Sequence, residues 1–446
     1  MNGLGNDFVM FDFVSDIPIE THQHADASAY PVRNRGRIAM SLFLHQHRLQ
    51  SPITWEFPKG VMRKVSNRQQ GVGCDQLVVM CEGGTGSIDD VTENQIVALR
   101  RFKALCMLKK TAAGAPAPVL SDPTPLWVAV RIFNGADGDE VGMCGNALRC
   151  IAIYWYLKSI LEFLWNVGAD GTLPTEDEIL STFGKQVLII LPFSKRWMPC
   201  VVEDMPLSDI LAAFYQRRES WRTAEAYEDV RENILAECVS LAQLSTCDVR
   251  VELGFSDLDT FPTLPSQAAG GENFGGAFPI PVETLVNHLS IVAPTTAAVV
   301  RDTVAAVFAV SVGNPHCVLI AKSSQESAAE GEMPSLLQDS VVDLIGAAIN
   351  QWPAVYPIGG NIEFISLTSE PRLVVSESGS RTLCNARMRV FERGAGRTLA
   401  CGSGACAAGV AIHATSKVAN TPFESVIEMD GGELRIVTTV PADDVA

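Results

Sequence analysis

Two cysteines in this chain stand where a thiol can do chemistry. The first to notice is Cys401, inside residues 389–409, which read RVFERGAGRTLACGSGACAAG. The alternation Arg-Val-Phe predicts a half-buried strand. The two glycines between Glu392 and Arg397 exclude regular structure there, and the small, alanine-rich run from Gly402 predicts a helix packed closely on all sides. Cys401 then opens a buried helix, where free backbone N–H groups and the helix dipole favour an anion. A thiol in that place is expected to favour the thiolate, which is its reactive form. Taken alone, Cys401 reads equally well as a small buried hydrophobe.

Residues 131–150, RIFNGADGDEVGMCGNALRC, follow the same plan. Arg-Ile-Phe leads through a glycine-containing turn to Cys144, and Gly145, Asn146, Ala147 and Leu148 open a second helix. The step from arginine to cysteine is 13 residues here and 12 in the later copy. Two further pairs keep the same order. Gly5-Asn6-Asp7-Phe8 corresponds to Gly313-Asn314-Pro315-His316, and Gly73-Cys74-Asp75-Gln76 to Gly360-Asn361-Ile362-Glu363, each running into a predicted strand. Three ordered blocks predict two similar halves, each presenting one cysteine at a helix start.

With those blocks in view, the chain resembles the diaminopimelate epimerase family. The motifs are GLGNDF at 3–8, GVGCDQ at 71–76, CGNALRC at 144–150, GNPH at 313–316, GGNIEF at 359–364 and ERGAGRTLACGSGACAA at 392–408. The resemblance implies an α+β fold of two pseudo-symmetric domains. Each would be a curved, barrel-like sheet around a central helix, here interrupted by several insertions. It also implies a cofactor-independent enzyme that interconverts L,L- and meso-2,6-diaminopimelate for lysine and peptidoglycan precursors. Other readings are a proline- or hydroxyproline-type racemase of the same fold, or a non-catalytic relative.

Epimerisation removes an α-proton from one face and returns a proton to the other, so two groups on opposite sides are the economical solution. The resemblance assigns Cys144 and Cys401 to that task, with His316 and Glu392 adjusting their proton affinity. It assigns Asn6, Gln76, Asn134, Asn314, Asn361, Glu392 and Arg393 to substrate contacts. The helix starts would aim the N–H groups of Gly145, Asn146, Gly402 and Ser403 at the substrate carboxylate. No pyridoxal phosphate and no metal are expected. The expected partner is a small molecule, with a homodimer as a possible assembly. Three positions depart from the family pattern: an extra residue in Asn134-Gly135-Ala136-Asp137-Gly138, Ala147 in place of a common glycine, and Arg397 in place of a frequent acid.

Composition narrows the class. A net charge of −17 over 446 residues opposes a nucleic-acid partner. Twelve irregularly spaced cysteines without a CxxC pair suit neither a disulfide framework nor a zinc site, and read as reduced thiols in the cytoplasm. No signal peptide is visible. The apolar run at 150–167 carries Lys158 and Glu162, so it reads as a buried amphipathic helix rather than a membrane span.

The elements that must position the cysteines divide at a Pro/Gly-rich segment, giving halves 1–255 and 256–446. Expected insertions lie near 13–67, 82–126, 203–247 and 322–356, extruded from the common core as surface loops or appended helices. The first holds His22, His24, His45 and His47, whose HxH pairs read as a solvated polar stretch. Strands are expected near 77–80, 127–133, 249–253, 309–313, 362–367 and 386–391. Helix 402–414 is followed by a strand pair split by Asp430-Gly431-Gly432.

Overall fold

A computed structural model describes residues 2–3, 6–12, 56–69, 73–85, 126–167, 174–194, 196–221, 235, 238, 240, 248–251, 276–322, 335–376, 379–416, 418 and 421–439. The four histidines near the N-terminus and the segment at 86–125 lie outside them. The chain forms two compact units. The first comprises Met1–Gly3, Asp7–Gly142 and Ala147–Leu253, and the second Leu4–Asn6, Met143–Asn146 and Gly254–Ala446. The fold is α+β with two curled sheets, one a half-barrel.

In the first part of the chain, β1 (Asn2–Gly3) and β2 (Asn6–Asp12) precede helix α1 (Lys59–Ser66) and strands β3 (Gln76–Thr85), β4 (Leu126–Asn134) and β5 (Glu140–Val141). Helix α2 (Gly145–Val167) follows, then α3 (Glu176–Phe183), β6 (Gln186–Leu191), β7 (Arg196–Glu203), α4 (Leu207–Trp221) and β8 (Asp248–Val251). The sheet runs β1-β2-β3-β4-β6-β7-β8, with β5 on β4. The predicted amphipathic helix is buried on all sides instead: Leu148, Ile151, Trp155, Tyr156, Leu157 and Ile160 are all inside. Such a helix tolerates a charge only if it is paired. Lys158 Nζ meets Asp12 Oδ2 at 2.6 Å, and Tyr154 donates to the same oxygen. Among the described residues no helix is long and apolar enough to cross a membrane.

The second unit opens with β9 (Ala277–Ile280), helices α5 (Val282–Val292) and α6 (Pro294–Thr303), β10 (Val304–Ser311) and β11 (Pro315–Ala321). A 3₁₀ turn (Ser335–Leu337), α7 (Asp339–Ile349), β12 (Asn361–Leu367), β13 (Arg372–Ser376), β14 (Gly379–Glu392) and β15 (Gly396–Thr398) come next. Helix α8 (Gly402–Ser416) and the hairpin β16 (Phe423–Met429) and β17 (Gly432–Thr438) close it. The sheet order is β17-β16-β14-β12-β11-β10-β9, with β13 and β15 on β14. Helix α8 is made of Gly, Ala and Ser because it is enclosed: Ala405, Ala407, Ala408, Ala411 and Ile412 are fully buried against this sheet.

The strand arithmetic repeats. In the first sheet β2 pairs parallel with β3, β3 antiparallel with β4, β4 parallel with β6, and β6 antiparallel with β7. In the second, β11 with β12, β12 with β14, β14 with β16, and β16 with β17 follow the same alternation. Each long helix occupies the same place in the order, α2 between β5 and β6, α8 between β15 and β16.

Register corrects one correspondence. Phe8 pairs with Gln76 and His316 with Asn361, so Gln76 matches Asn361, two residues from the match read from sequence. Glu363 then corresponds to Val78. The motif strings align at their glycines, whereas the ladder aligns hydrogen-bonded backbone, and a two-residue slip keeps every side chain on its face.

The segment at 322–356 is also not extruded. Its described part, 335–356, supplies Leu336, Leu337, Val342, Ile345, Ile349, Trp352 and Tyr356 to the core of the second unit. A Cβ on Gly346 would stand 2.6 Å from Phe391 Cβ, so α7 lies directly on β14. Its outward acids Asp339 and Asp343 pair with Arg389 and Arg397, which accounts for a base at 397.

Candidate active site

Cys401 is the last residue before α8, and the helix start surrounds its sulfur. The Gly404 N–H donates to Sγ at 3.4 Å, and the Ser403 hydroxyl lies 3.5 Å from it. The Glu392 carboxyl at the end of β14, which accepts from the Thr398 hydroxyl, stands close enough for its charge to act on the thiol.

The expectation of a favoured thiolate is reversed. Burial pushes the Cys401 thiol well above its ordinary range, and the charges of Glu392 and Glu363 push the same way. The Ser403 and Gly404 hydrogen bonds favour the thiolate but are outweighed. A helix start stabilises an anion only against the desolvation and neighbouring charge that accompany it. Burial likewise raises the Glu392 carboxyl, opposed by its bond from Thr398 and by the neighbouring Cys401 thiol.

Around this sulfur the second unit gathers several of the residues singled out from sequence. Asn314 Nδ2 lies 3.5 Å from Ser403 Oγ, and Asn314 Oδ1 lies 3.0 Å from His316 Nε2. The His316 ring is fully buried, with Nδ1 2.8 Å from Glu363 Oε1, and Tyr356 donates to the His316 carbonyl at 3.1 Å. The Arg393 N–H donates to Asn361 Oδ1 at 3.0 Å, and its guanidinium donates to the Ile358 carbonyl.

Met143–Asn146 belong to this unit too. Cys144 is half-buried, immediately before α2. A Cβ on Gly145 would lie 3.2 Å from the Gly402 Cα, and Asn146 Nδ2 donates to the Ala400 carbonyl at 3.4 Å.

The remaining residues stand elsewhere. Asn6 opens β2. Gln76 and Asn134 face each other across β3 and β4, so the additional residue in 134–138 leaves Asn134 at its strand end. The surplus is taken up in a turn where Gly138 has φ +75° and donates to the Asn134 carbonyl at 2.8 Å. Gln76 Oε1 is buried with no hydrogen-bond partner among the described residues.

Sequence reasoning passed over Glu363. It is completely buried, and its second oxygen Oε2 has no hydrogen-bond partner among the described residues. The available signal was one acid inside the strand NIEFISL, flanked directly by Ile362 and Phe364. Among the described residues the cysteines are not joined in disulfides, and no cluster of three or more His, Cys, Asp or Glu could hold a metal.

Comparison with known proteins bears on this arrangement. Residues 308–445 match the family described as diaminopimelate epimerase. A diaminopimelate epimerase of Pelotomaculum thermopropionicum is 27% identical over 299 residues, 67% of this chain and 68% of that protein. One of Phocaeicola vulgatus is 25% identical over 370 residues, 83% of this chain and 88% of the relative. One of a Synechococcus strain is 36% identical over 130 residues, 29% of this chain and 36% of the relative.

Proposed function

This chain is a relative of the diaminopimelate epimerases, carrying their domain over residues 308–445, and on that premise we propose that it interconverts L,L- and meso-2,6-diaminopimelate. The observation that carries the reading is the backbone approach of Gly145 and Gly402, each the residue after one of the two cysteines. Helix starts that meet there would bring two thiols to one α-carbon, one cysteine from each half, 1–255 and 256–446.

In the proposed cycle Cys144 begins as thiolate and Cys401 as thiol, since Cys401 is the thiol that burial and two carboxylates hold protonated. The Cα–H bond breaks, its electron pair stays on carbon, and the proton forms an S–H bond on Cys144. Cys401 then delivers its proton to the opposite face and becomes the thiolate. No electrons are gained or lost, and the reverse reaction starts from the exchanged pair.

The carbanion is the difficult species. The N–H groups of Gly145, Asn146, Gly402 and Ser403 would hold the α-carboxylate and the charge that spreads onto it. Arg393 suits the far carboxylate, which it can grip through two parallel hydrogen bonds. Asn6, Gln76, Asn134, Asn314 and Asn361 supply both donors and acceptors for a substrate carrying two ammonium and two carboxylate groups. His316 and Glu392 adjust the thiols. The cycle requires neither pyridoxal phosphate nor metal.

The test is deuterium incorporation from heavy water into each isomer by Cys144→Ser and Cys401→Ser. Serine is a very poor base at neutral pH but still hydrogen-bonds, so both variants lose net epimerisation. Exchange persists only for the isomer whose α-hydrogen faces the surviving cysteine, and that isomer switches between the variants. Equal exchange into both isomers by one variant would rule out the two-base cycle.

A further inference from the structure

The β11–β12 register places His316 and Glu363 on one face of the second sheet, two strand positions apart. Both side chains are fully buried, and Nδ1 meets Oε1 at 2.8 Å. A polar pair buried this deeply is a poor source of stability, because desolvation of the two groups offsets their attraction.

The other half of the molecule shows that the fold does not require it. In the matching β2–β3 register the same two positions are Phe8 and Val78, both buried and apolar. Helix α8 also makes room for the carboxylate. A Cβ on Gly404 would stand 2.6 Å from Glu363 Oε1, whereas the corresponding residue of α2 is Ala147.

The pair has a consequence for the ring. A carboxylate at Nδ1 can only accept, so Nδ1 carries a proton. Nε2 is the nitrogen presented to Asn314 Oδ1, which can only accept, so this contact is a hydrogen bond when Nε2 carries a proton as well; from Asn314 the contacts run through Ser403 to the Cys401 sulfur. The groups around His316 are Glu363 from β12 on Nδ1, Asn314 on Nε2, the Tyr356 hydroxyl on its carbonyl, and the Glu392 carboxyl from β14, whose charge the ring acts on.

We infer that Glu363 is a positioning residue. Its buried carboxylate holds a proton on Nδ1 of the His316 imidazole and keeps Nε2 directed toward Asn314 and the helix start that carries Cys401. Glu363 itself touches no substrate; it acts through His316, as a buried carboxylate orients an imidazole in hydrolytic triads. The inference deepens the proposed epimerase and rests on it for the kinetic readout, although the ring geometry is tested independently.

The experiment uses the full chain with ¹⁵N-labelled histidine, the His316 signal being identified by its loss in His316→Gln. The wild-type ring should show a protonated Nδ1. In Glu363→Gln, which keeps the shape but can donate as well as accept, the neutral ring with its only proton on Nε2 should become populated. kcat should fall about a hundredfold, the low end of what a positioned acid–base group contributes, with KM within about twofold. A neutral wild-type ring carrying its proton on Nε2 would overturn the inference, even if the variant failed to fold. So would a rise in KM at unchanged kcat. Wild-type protein that leaves both diaminopimelate isomers unchanged would defeat the proposed function instead, and the ring spectrum would still decide the role of Glu363.

Discussion

Gly402 meets Gly145 backbone to backbone: a Cβ on Gly402 would stand 3.0 Å from the Gly145 Cα and 3.3 Å from the Asn146 nitrogen. Both residues belong to the second unit, and each directly follows a cysteine. A methyl group on either one needs the neighbour to yield by a few tenths of an ångström.

Gly402→Ala is therefore expected to be far more costly to activity than to stability. Small displacements of reacting groups are expensive, so kcat/KM should drop about tenfold or more. Thermal unfolding should shift by only a few degrees. Steady-state kinetics beside a melting curve makes the comparison. A Gly402→Ala protein with wild-type kcat/KM would show that the contact does not set the spacing of the thiols.

Gly404→Ala presents a different collision, because its methyl would lie 2.6 Å from Glu363 Oε1 and 3.2 Å from Cys401 Cβ. Overpacking of this kind costs about 1–3 kcal/mol. The first half carries Ala147 and Val78 at the matching positions, so the double variant Gly404→Ala, Glu363→Val should be less destabilised than the sum of its singles. Denaturant unfolding of the four proteins measures this coupling. Strictly additive losses would count against the packing argument.

The Cys401 thiol should remain unreactive at pH values where ordinary cysteines alkylate. Burial raises it first, and the charges of Glu392 and Glu363 raise it further. Its pKa in the folded chain lies above the unfolded value, so the thiolate gains population only as pH rises beyond the usual thiol range near ~8.5. By the same sign, the neutral thiol favours the folded state below that range, and this contribution is lost as pH rises through the folded value. Glu392→Gln removes one repelling charge and should move the rise in alkylation to lower pH. Mass spectrometry of the Cys401 peptide after timed iodoacetamide treatment follows it. An unchanged or upward-shifted profile would contradict the assigned cause.

Much of this was legible in the linear chain because it is local. A helix beginning after Cys144 and another after Cys401 follow from glycine, small residues and the strand-turn text before them. The alternation in 386–391 and the Asp430-Gly431-Gly432 turn report backbone preferences acting over a few residues. The order of the motifs already carried the repeat, which the strand pairings bear out. What only tertiary structure decided is non-local. Gln76 matches Asn361 because hydrogen-bonded ladders, not motif strings, set register. Residues 335–356 joined the core because Val342, Ile345 and Ile349 found apolar partners far away in sequence. Glu363 gained its meaning from His316, 47 positions earlier. Cys401 holds its proton because burial and the Glu392 and Glu363 carboxylates outweigh the helix start, and such a sum of solvation and charge can be taken only once the chain has folded.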